Sequence, residues 1–289
     1  MNPWYLLGAG NMGLLAAYYL RQAGFAVTVL RHDTASPLRR RLTFADGRPP
    51  CDLILPVLSP AALTEPPRHL IVACKAPYSA AALESVPLTA DSQVLRLQNG
   101  LGSLDGLLPE GVLPIEVVTT SAVKQDGPAQ HQVVAENETW MGGTDVVPDW
   151  FEQVSTHWPN LSWPTDFQHR QWHKLVANAV INPLTALHDV ANGRLLEDRE
   201  LQRQAAELCR EADQLLTALD PTWPGDSLPR VMAVASATAG NTSSMRADVR
   251  KGARTEIDAI NGYLLRRAAP LGLSLPAHER IATALTSRT

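Results

Sequence analysis

Trp4-Tyr-Leu-Leu-Gly-Ala-Gly-Asn-Met-Gly13 is the stretch whose reading decides the fold. Trp4–Leu7 is a short apolar run that reads as a fully buried strand. It passes directly into Gly8-Ala9-Gly10-Asn11-Met12-Gly13, and a helical pattern follows to about Gln22. Gly24 then breaks the chain before the β-branched run Val27-Thr-Val-Leu30. Strand, GxGxxG, helix, glycine, strand is the context in which this glycine spacing marks a dinucleotide site. The first glycine permits a tight turn and the second lets a pyrophosphate approach the backbone. The third allows close helix–strand packing, and the helix N-terminus receives the negative charge.

The end of the second strand bears on which dinucleotide is bound. An NAD site usually places an acid about 20 residues beyond the motif, against the ribose diol. Here the strand ends in Arg31-His32, with Asp33 displaced further along. A guanidinium at that point suits a 2′-phosphate, so NADPH is the expected cofactor.

Further along, Arg41–Asp46 and Cys51–Leu55, joined through Asp46-Gly47, read as a hairpin inserted between sheet strands. Leu70–Cys74 is a buried strand ending at Lys75, Ala80–Val86 a short helix, and Gln93–Leu97 a strand ending at Gln98-Asn99-Gly100. Ligands of an open parallel sheet gather at the carboxyl ends of its strands, so Lys75 and Asn99 should point at the cofactor. Ile115–Val123 is a further strand, and Gln132–Ala135 with Thr139–Gly142 reads as a closing antiparallel pair. Beyond Trp163-Pro164 the pattern is helical, over about 168–188, 195–218, 227–240, 253–270 and 277–286. Alternating elements followed by a run of helices predict two domains, 1–165 and 166–289.

The helical half opens on Trp172-His-Lys-Leu-Val-Ala-Asn-Ala-Val-Ile-Asn-Pro-Leu-Thr-Ala-Leu187. Lys174, Asn178 and Asn182 stand four residues apart, and each step drifts only about 40° around a helix, so all three share one face. The rest of the cylinder is apolar, and a buried helix keeps a polar line only where something polar meets it. Pro183, if the helix continues through it, leaves the carbonyl of Ala179 without its helical donor. Further on, Ser243 and Ser244 read as capping residues. Taken alone, Glu256 reads as a solvated acid in the first turn of a helix.

Composition excludes several classes. The chain has 289 residues, 45% hydrophobic and 19% charged, as an ordinary globular protein does. A net charge of −4 gives no electrostatic case for a nucleic-acid or membrane partner. Cys51, Cys74 and Cys209 form no disulfide framework or zinc pattern, so no metal is expected. Neither a leader segment nor an apolar run of about 18 residues is legible, which makes the cytoplasm the expected location.

These pieces together resemble the ketopantoate reductase family, the 2-dehydropantoate 2-reductases. The resemblance rests on Gly8–Gly13, Lys75-Ala, Gln98-Asn99-Gly, Lys174-x3-Asn178-x3-Asn182-Pro, Asn192-Gly, Ser243-Ser-Met and Glu256-Ile-Asp-x-Ile-Asn-Gly, in that order. It implies an α/β fold, with an N-terminal Rossmann-type domain followed by an all-helical domain of the 6-phosphogluconate dehydrogenase C-terminal type, and an active site in the cleft between them. It also implies reduction of 2-dehydropantoate to pantoate with NADPH, a step towards pantothenate and coenzyme A. Carried over motif by motif, Lys174 looks like the general acid, and Asn99, Asn178, Asn182, Asn192 and Ser244 look like substrate contacts. Gly8, Ala9, Gly10, Asn11, Met12, Gly13, Arg31, Lys75, Asn99, Val123 and Glu256 look like cofactor neighbours, Val123 through its backbone. The expected partner is a small 2-keto acid, and the expected assembly a monomer or homodimer. Two other readings compete: a related reductase of another branched 2-keto acid, and a non-catalytic NADP-binding sensor.

Overall fold

The computed structural model describes residues 2–32 and 36–287, so Asp33 lies outside the described residues. Two compact units divide the chain. One holds Met1–Gln98 and Leu104–Gln168, the other Asn99–Ser103 and His169–Thr289.

The first unit is built on an eight-stranded sheet. Its elements in chain order begin with β1 (Trp4–Leu7), α1 (Asn11–Gln22), β2 (Val27–Leu30), β3 (Leu38–Phe44), β4 (Cys51–Leu55), β5 (Val57–Leu58), β6 (His69–Val72), α2 (Ser79–Leu83) and β7 (Gln93–Arg96). They continue with β8 (Ile115–Thr119), β9 (Ala122–Gly127), β10 (Gln130–Ala135), β11 (Thr139–Gly142), α3 (Phe151–Ser155) and β12 (Leu161–Ser162). The sheet order is β12-β11-β8-β7-β6-β1-β2-β5. β1 lies between β2 and β6, parallel to both, with Trp4 opposite Val27 and His69. Covered on both faces, these strands are apolar runs without alternation, and Trp4, Leu6 and Val29 are fully buried. The carboxyl ends of β1, β2, β6 and β7 therefore share one edge.

A second sheet departs from the sequence reading. Its order is β4-β3-β10-β9. The hairpin β3–β4 is antiparallel as expected, with Arg41 opposite Asp52, but it lies outside the parallel sheet. Ile115–Val123 is not one strand. The Thr119 hydroxyl accepts from the Ser121 amide at 3.1 Å, a local bond that turns the chain and ends β8. Gln132–Ala135 and Thr139–Gly142 are not partners either: β10 pairs with β9 and β3, and β11 pairs with β8.

The second unit contains no strand among the described residues. Its helices are α4 (Phe167–His188), α5 (Arg194–Glu197), α6 (Arg199–Leu219), α7 (Ser227–Ala237), α8 (Ser244–Arg250), α9 (Tyr263–Ala268) and α10 (Pro276–Thr286), with a π-helical turn at Asp258–Gly262. The single helix expected over 195–218 is broken at Asp198, whose carboxylate caps α6 by accepting from the amides of Glu200 (2.9 Å) and Leu201 (3.3 Å). The helix expected over 253–270 opens instead on the π turn. α6 buries Leu201, Ala205, Leu208, Ala212 and Leu215, the spacing of one helical stripe. No helix among the described residues is long and apolar enough to cross a membrane.

A buried polar chain crosses this core. Glu211 of α6 caps α10, its carboxylate accepting from the amides of Ala277 (2.9 Å) and His278 (3.1 Å). The Nε2 of His278 lies 3.0 Å from the Leu208 carbonyl. A carbonyl only accepts, so Nε2 carries the proton and Nδ1 is the lone pair. Nδ1 accepts from the Asn261 amide at 3.0 Å. His278 is fully buried, and burial pushes its pKa down to about 4 from 6.5, partly countered by the bond to Leu208. In the unfolded chain this histidine protonates first as pH falls, so its contribution to stability is complete above about 6.5 and is lost on descending towards 4. Between about pH 7 and 5 the loss is roughly 2 kcal/mol. Urea unfolding at the two pH values checks this. His278→Gln, which cannot titrate, should show a smaller acid-induced loss; an equal loss would place the acid sensitivity elsewhere.

Candidate dinucleotide and substrate residues

In the first unit, the predicted cofactor residues form a cradle at the shared strand edge. Gly8 has φ +95°, and a Cβ there would lie 2.2 Å from the Cys74 amide nitrogen. A Cβ on Gly13 would lie 2.1 Å from the Gly8 carbonyl oxygen. Both positions need glycine for close approach, as the spacing implied. Gly10 differs, because a Cβ there would meet nothing within 4 Å. The loop is thus tight where it packs and open where it faces outward. Gly10 precedes α1 with no side-chain cap, and the first turn of α1 has no acid, so the positive end of the helix is left for an anion.

Ala9 and Met12 pack partly buried against the core of this unit. Asn11 is turned inward: its Nδ2 donates to the Val123 carbonyl at 2.9 Å. The structure therefore brings together two residues that the family pattern assigns to the cofactor. Arg31 closes β2, half-buried, with its backbone amide on the Leu58 carbonyl at 3.0 Å. Lys75 follows β6, half-buried, at the start of the 3-10 turn Ala76–Tyr78. The Gln98 amide ties the ends of β6 and β7, donating to the Cys74 carbonyl (2.6 Å) and the Ser79 hydroxyl (2.8 Å). Arg96, buried and ion-paired with Glu116, in turn holds the Gln98 carbonyl at 3.3 Å.

In the second unit, Asn99 donates to Glu256 Oε2 at 3.4 Å. Glu256 is only 8% exposed, which corrects its reading as a solvated helix acid. The cause is the docking of 99–103 onto the π turn. Leu101 donates its amide to the Ala259 carbonyl at 2.7 Å. Gly100 (φ +73°) approaches so closely that a Cβ would lie 2.3 Å from that oxygen. A π turn carries one residue more than an α turn and offers a carbonyl that an α-helix would use internally.

α4 presents Lys174 and Asn178 half-buried and Asn182 buried along one line. Leu175, Val176, Ala179 and Val180 are buried around them. The helix does continue through Pro183. The Ala179 carbonyl, deprived of its helical donor, accepts from Asn261 Nδ2 at 2.9 Å. Next to Lys174, His173 lies with its ring 4.4 Å from that of Trp223, and burial, aided by Arg230, pushes its pKa down. The neighbour of Lys174 thus adds no second positive charge at neutral pH.

Ser243 and Ser244 divide their roles. Ser243 is buried, caps α8 by accepting from the Arg246 amide at 3.1 Å, and lies 2.7 Å from the Thr185 hydroxyl of α4. Ser244 is exposed, so only the first of the two is a cap. Arg246 and Arg250 grip Asp189, holding its carboxyl well below the usual range and fastening α8 to the end of α4. Asn192 is buried, with its Nδ2 donating to the Thr238 hydroxyl at 2.9 Å and its buried Oδ1 without a hydrogen-bond partner. Sequence reasoning missed Asn261 and His131. The free Ala179 carbonyl behind Pro183 was the signal for the first. For the second it was a histidine inside the alternation of β10.

Comparison with known proteins follows the same division. The family model described as Ketopantoate reductase PanE/ApbA matches residues 4–145, and its C-terminal model matches 166–288. A 2-dehydropantoate 2-reductase of Yersinia pestis is 34% identical over 231 residues, 75% of each chain. That of Bacillus subtilis is 30% identical over 291 residues, 93% of this chain and 91% of its own. The crystal structure of the probable 2-dehydropantoate 2-reductase from Bacillus subtilis has a TM-score of 0.82 at 26% identity, covering 99% of this chain and 100% of that one. D-mandelate dehydrogenase, solved with NADH and anilino(oxo)acetate, shares the fold with a TM-score of 0.80 at 19% identity, over 99% of this chain and 98% of that one.

Proposed function

The chain belongs to the ketopantoate reductase family and reduces 2-dehydropantoate, and we propose that it does so with NADPH and with Lys174 as the proton donor. The observation that carries the mechanism is the line of Lys174, Asn178 and Asn182 on an otherwise buried helix. Gly8–Gly13, the open position at Gly10 and the uncapped end of α1 fit a dinucleotide pyrophosphate. The bound coenzyme supplies a hydride to the keto carbon. As alkoxide charge builds on the oxygen, the Lys174 ammonium stabilises it and transfers its proton there, so that hydride and proton together complete the alcohol. Asn99, Asn178, Asn182, Asn192 and Ser244 offer amide and hydroxyl groups that orient the carboxylate and hydroxyl of the substrate without burying further charge. Lys75, the Val123 backbone and Glu256 are assigned to the coenzyme.

Initial rates of NADPH oxidation with a panel of 2-keto acids test this reading. 2-Dehydropantoate should give the highest kcat/KM. A preference for another branched 2-keto acid would make the chain a related reductase with a different pocket, and no turnover with any would leave a coenzyme-binding sensor.

Coenzyme choice rests on Arg31, which stands at the end of β2 where NAD enzymes carry an acid. Arg31→Ala should raise KM for NADPH much more than for NADH, by the worth of a charge-assisted bond, about 1.5–3 kcal/mol. Equal changes for both coenzymes would show that Arg31 meets something other than the 2′-phosphate.

A further inference from the structure

β10 carries a residue that does not fit its own pattern. Its inward positions are His131 and Val133, while Gln130 and Val134 are exposed. Leu42, opposite His131 in the parallel ladder, and Val133, packed in the core of the first unit, form an apolar row on the β3 side, whereas the β9 partner of His131 is the exposed Gln125. A leucine would complete the row. Instead His131 is 3% exposed, and its Nε2 is buried without a hydrogen-bond partner. An orphaned buried nitrogen costs stability, so its retention calls for a use at the other side of the ring.

That other side faces the glycine loop. His131 Nδ1 lies 2.8 Å from Asn11 Oδ1, and Asn11 Nδ2 donates to the Val123 carbonyl at 2.9 Å. The directions are forced. The Val123 carbonyl only accepts, so the Asn11 nitrogen faces it and the Asn11 oxygen faces His131; His131 must then donate from Nδ1. A charged ring would bury an unpartnered N–H at Nε2, so the neutral tautomer is favoured, with its proton on Nδ1 and a bare lone pair on Nε2. Burial, with Arg40 nearby, pushes its pKa down in agreement. The ladder with β9 shifts register between Gln130 and His131, an irregularity of the kind that re-aims a side chain.

We propose that His131 is the positioning residue of the coenzyme loop: through Asn11 it locks Gly10–Gly13 at the head of α1 to the backbone at Val123. The three members come from α1, β9 and β10, so the small second sheet acts as the brace of a loop that glycine leaves conformationally permissive. Asn11 is the first residue of α1 and its side chain is spent on this brace, not on capping the helix, which leaves the helix end open for phosphate. The proposal rests on the reading of Gly8–Gly13 as a dinucleotide site.

The test separates bracing from packing. His131→Leu fills the same space, removes the orphaned nitrogen and should leave the melting temperature unchanged or raised. It should nevertheless raise Kd for NADPH about tenfold, the effect of one buried hydrogen bond, with kcat at saturating coenzyme little altered. His131→Asn places an amide N–H near the Nδ1 position and should recover most of the affinity. His131→Gln, whose amide reaches the Nε2 position, should not. Fluorescence titration of NADPH reads all four proteins. Wild-type affinity in the folded Leu variant, or an Asn variant as weak as the Gln variant, overturns the proposal. Absence of NADPH and NADH binding by the wild type would overturn the dinucleotide reading and this proposal with it.

Discussion

Replacing Lys174 by alanine lowers kcat by ~10²–10⁴-fold, the range of a general acid, while the fold and coenzyme affinity are retained. The lysine is half-buried on a helix whose packing residues are Trp172, Leu175, Val176, Ala179 and Val180, so its removal opens no cavity in the core. Lys174 is not among the residues assigned to the coenzyme, and the glycine loop belongs to the other compact unit, so NADPH titration should read the same Kd in the variant. The loss falls on kcat and kcat/KM together because the ammonium acts on charge that exists only in the transition state. Lys174→Arg retains the charge but is a poor proton donor at neutral pH, so it should remain close to the alanine variant. Near-normal kcat in either variant would make Lys174 structural and remove the proposed mechanism.

Which parts of this arrangement were legible in the sequence follows from the range of the forces that set them. β1, β2 and α1 are fixed by local signals: a short apolar run, glycines at the turn and a β-branched run. The polar line of α4 was legible because helical periodicity alone puts Lys174, Asn178 and Asn182 on one face. The second sheet was not. β3 and β10 are parallel neighbours with Arg41 opposite Gln130, a pairing far apart in sequence that no alternation pattern announces. Glu256 was read as solvated for the same reason, since its burial depends on Asn99, 157 residues away. The π turn at Asp258–Gly262 adds one residue to a helical pattern, which shifts a stripe too short to show the change. The missed features are therefore those in which a distant segment supplies the partner.

One such partner was anticipated on only one side. Pro183 strips the Ala179 carbonyl of its helical donor, and the structure answers with Asn261 from the π turn. The same amide gives its second proton to His278, whose other nitrogen is anchored on Leu208. Asn261→Leu should therefore destabilise the second unit by roughly 2–6 kcal/mol, since two buried acceptors lose their donor at roughly 1–3 each. Pro183→Ala supplies a helical N–H to Ala179 and relieves one of the two. In the wild-type background that substitution has little to correct, because the carbonyl is already satisfied. In the Asn261→Leu background it should recover roughly 1–3 kcal/mol, leaving the His278 lone pair as the remaining deficit. Urea unfolding of the two single variants, the double variant and the wild type closes this cycle. If Pro183→Ala changes stability equally with and without Asn261, the amide is not standing in for the missing helical bond, and the continuation of α4 through Pro183 needs another cause.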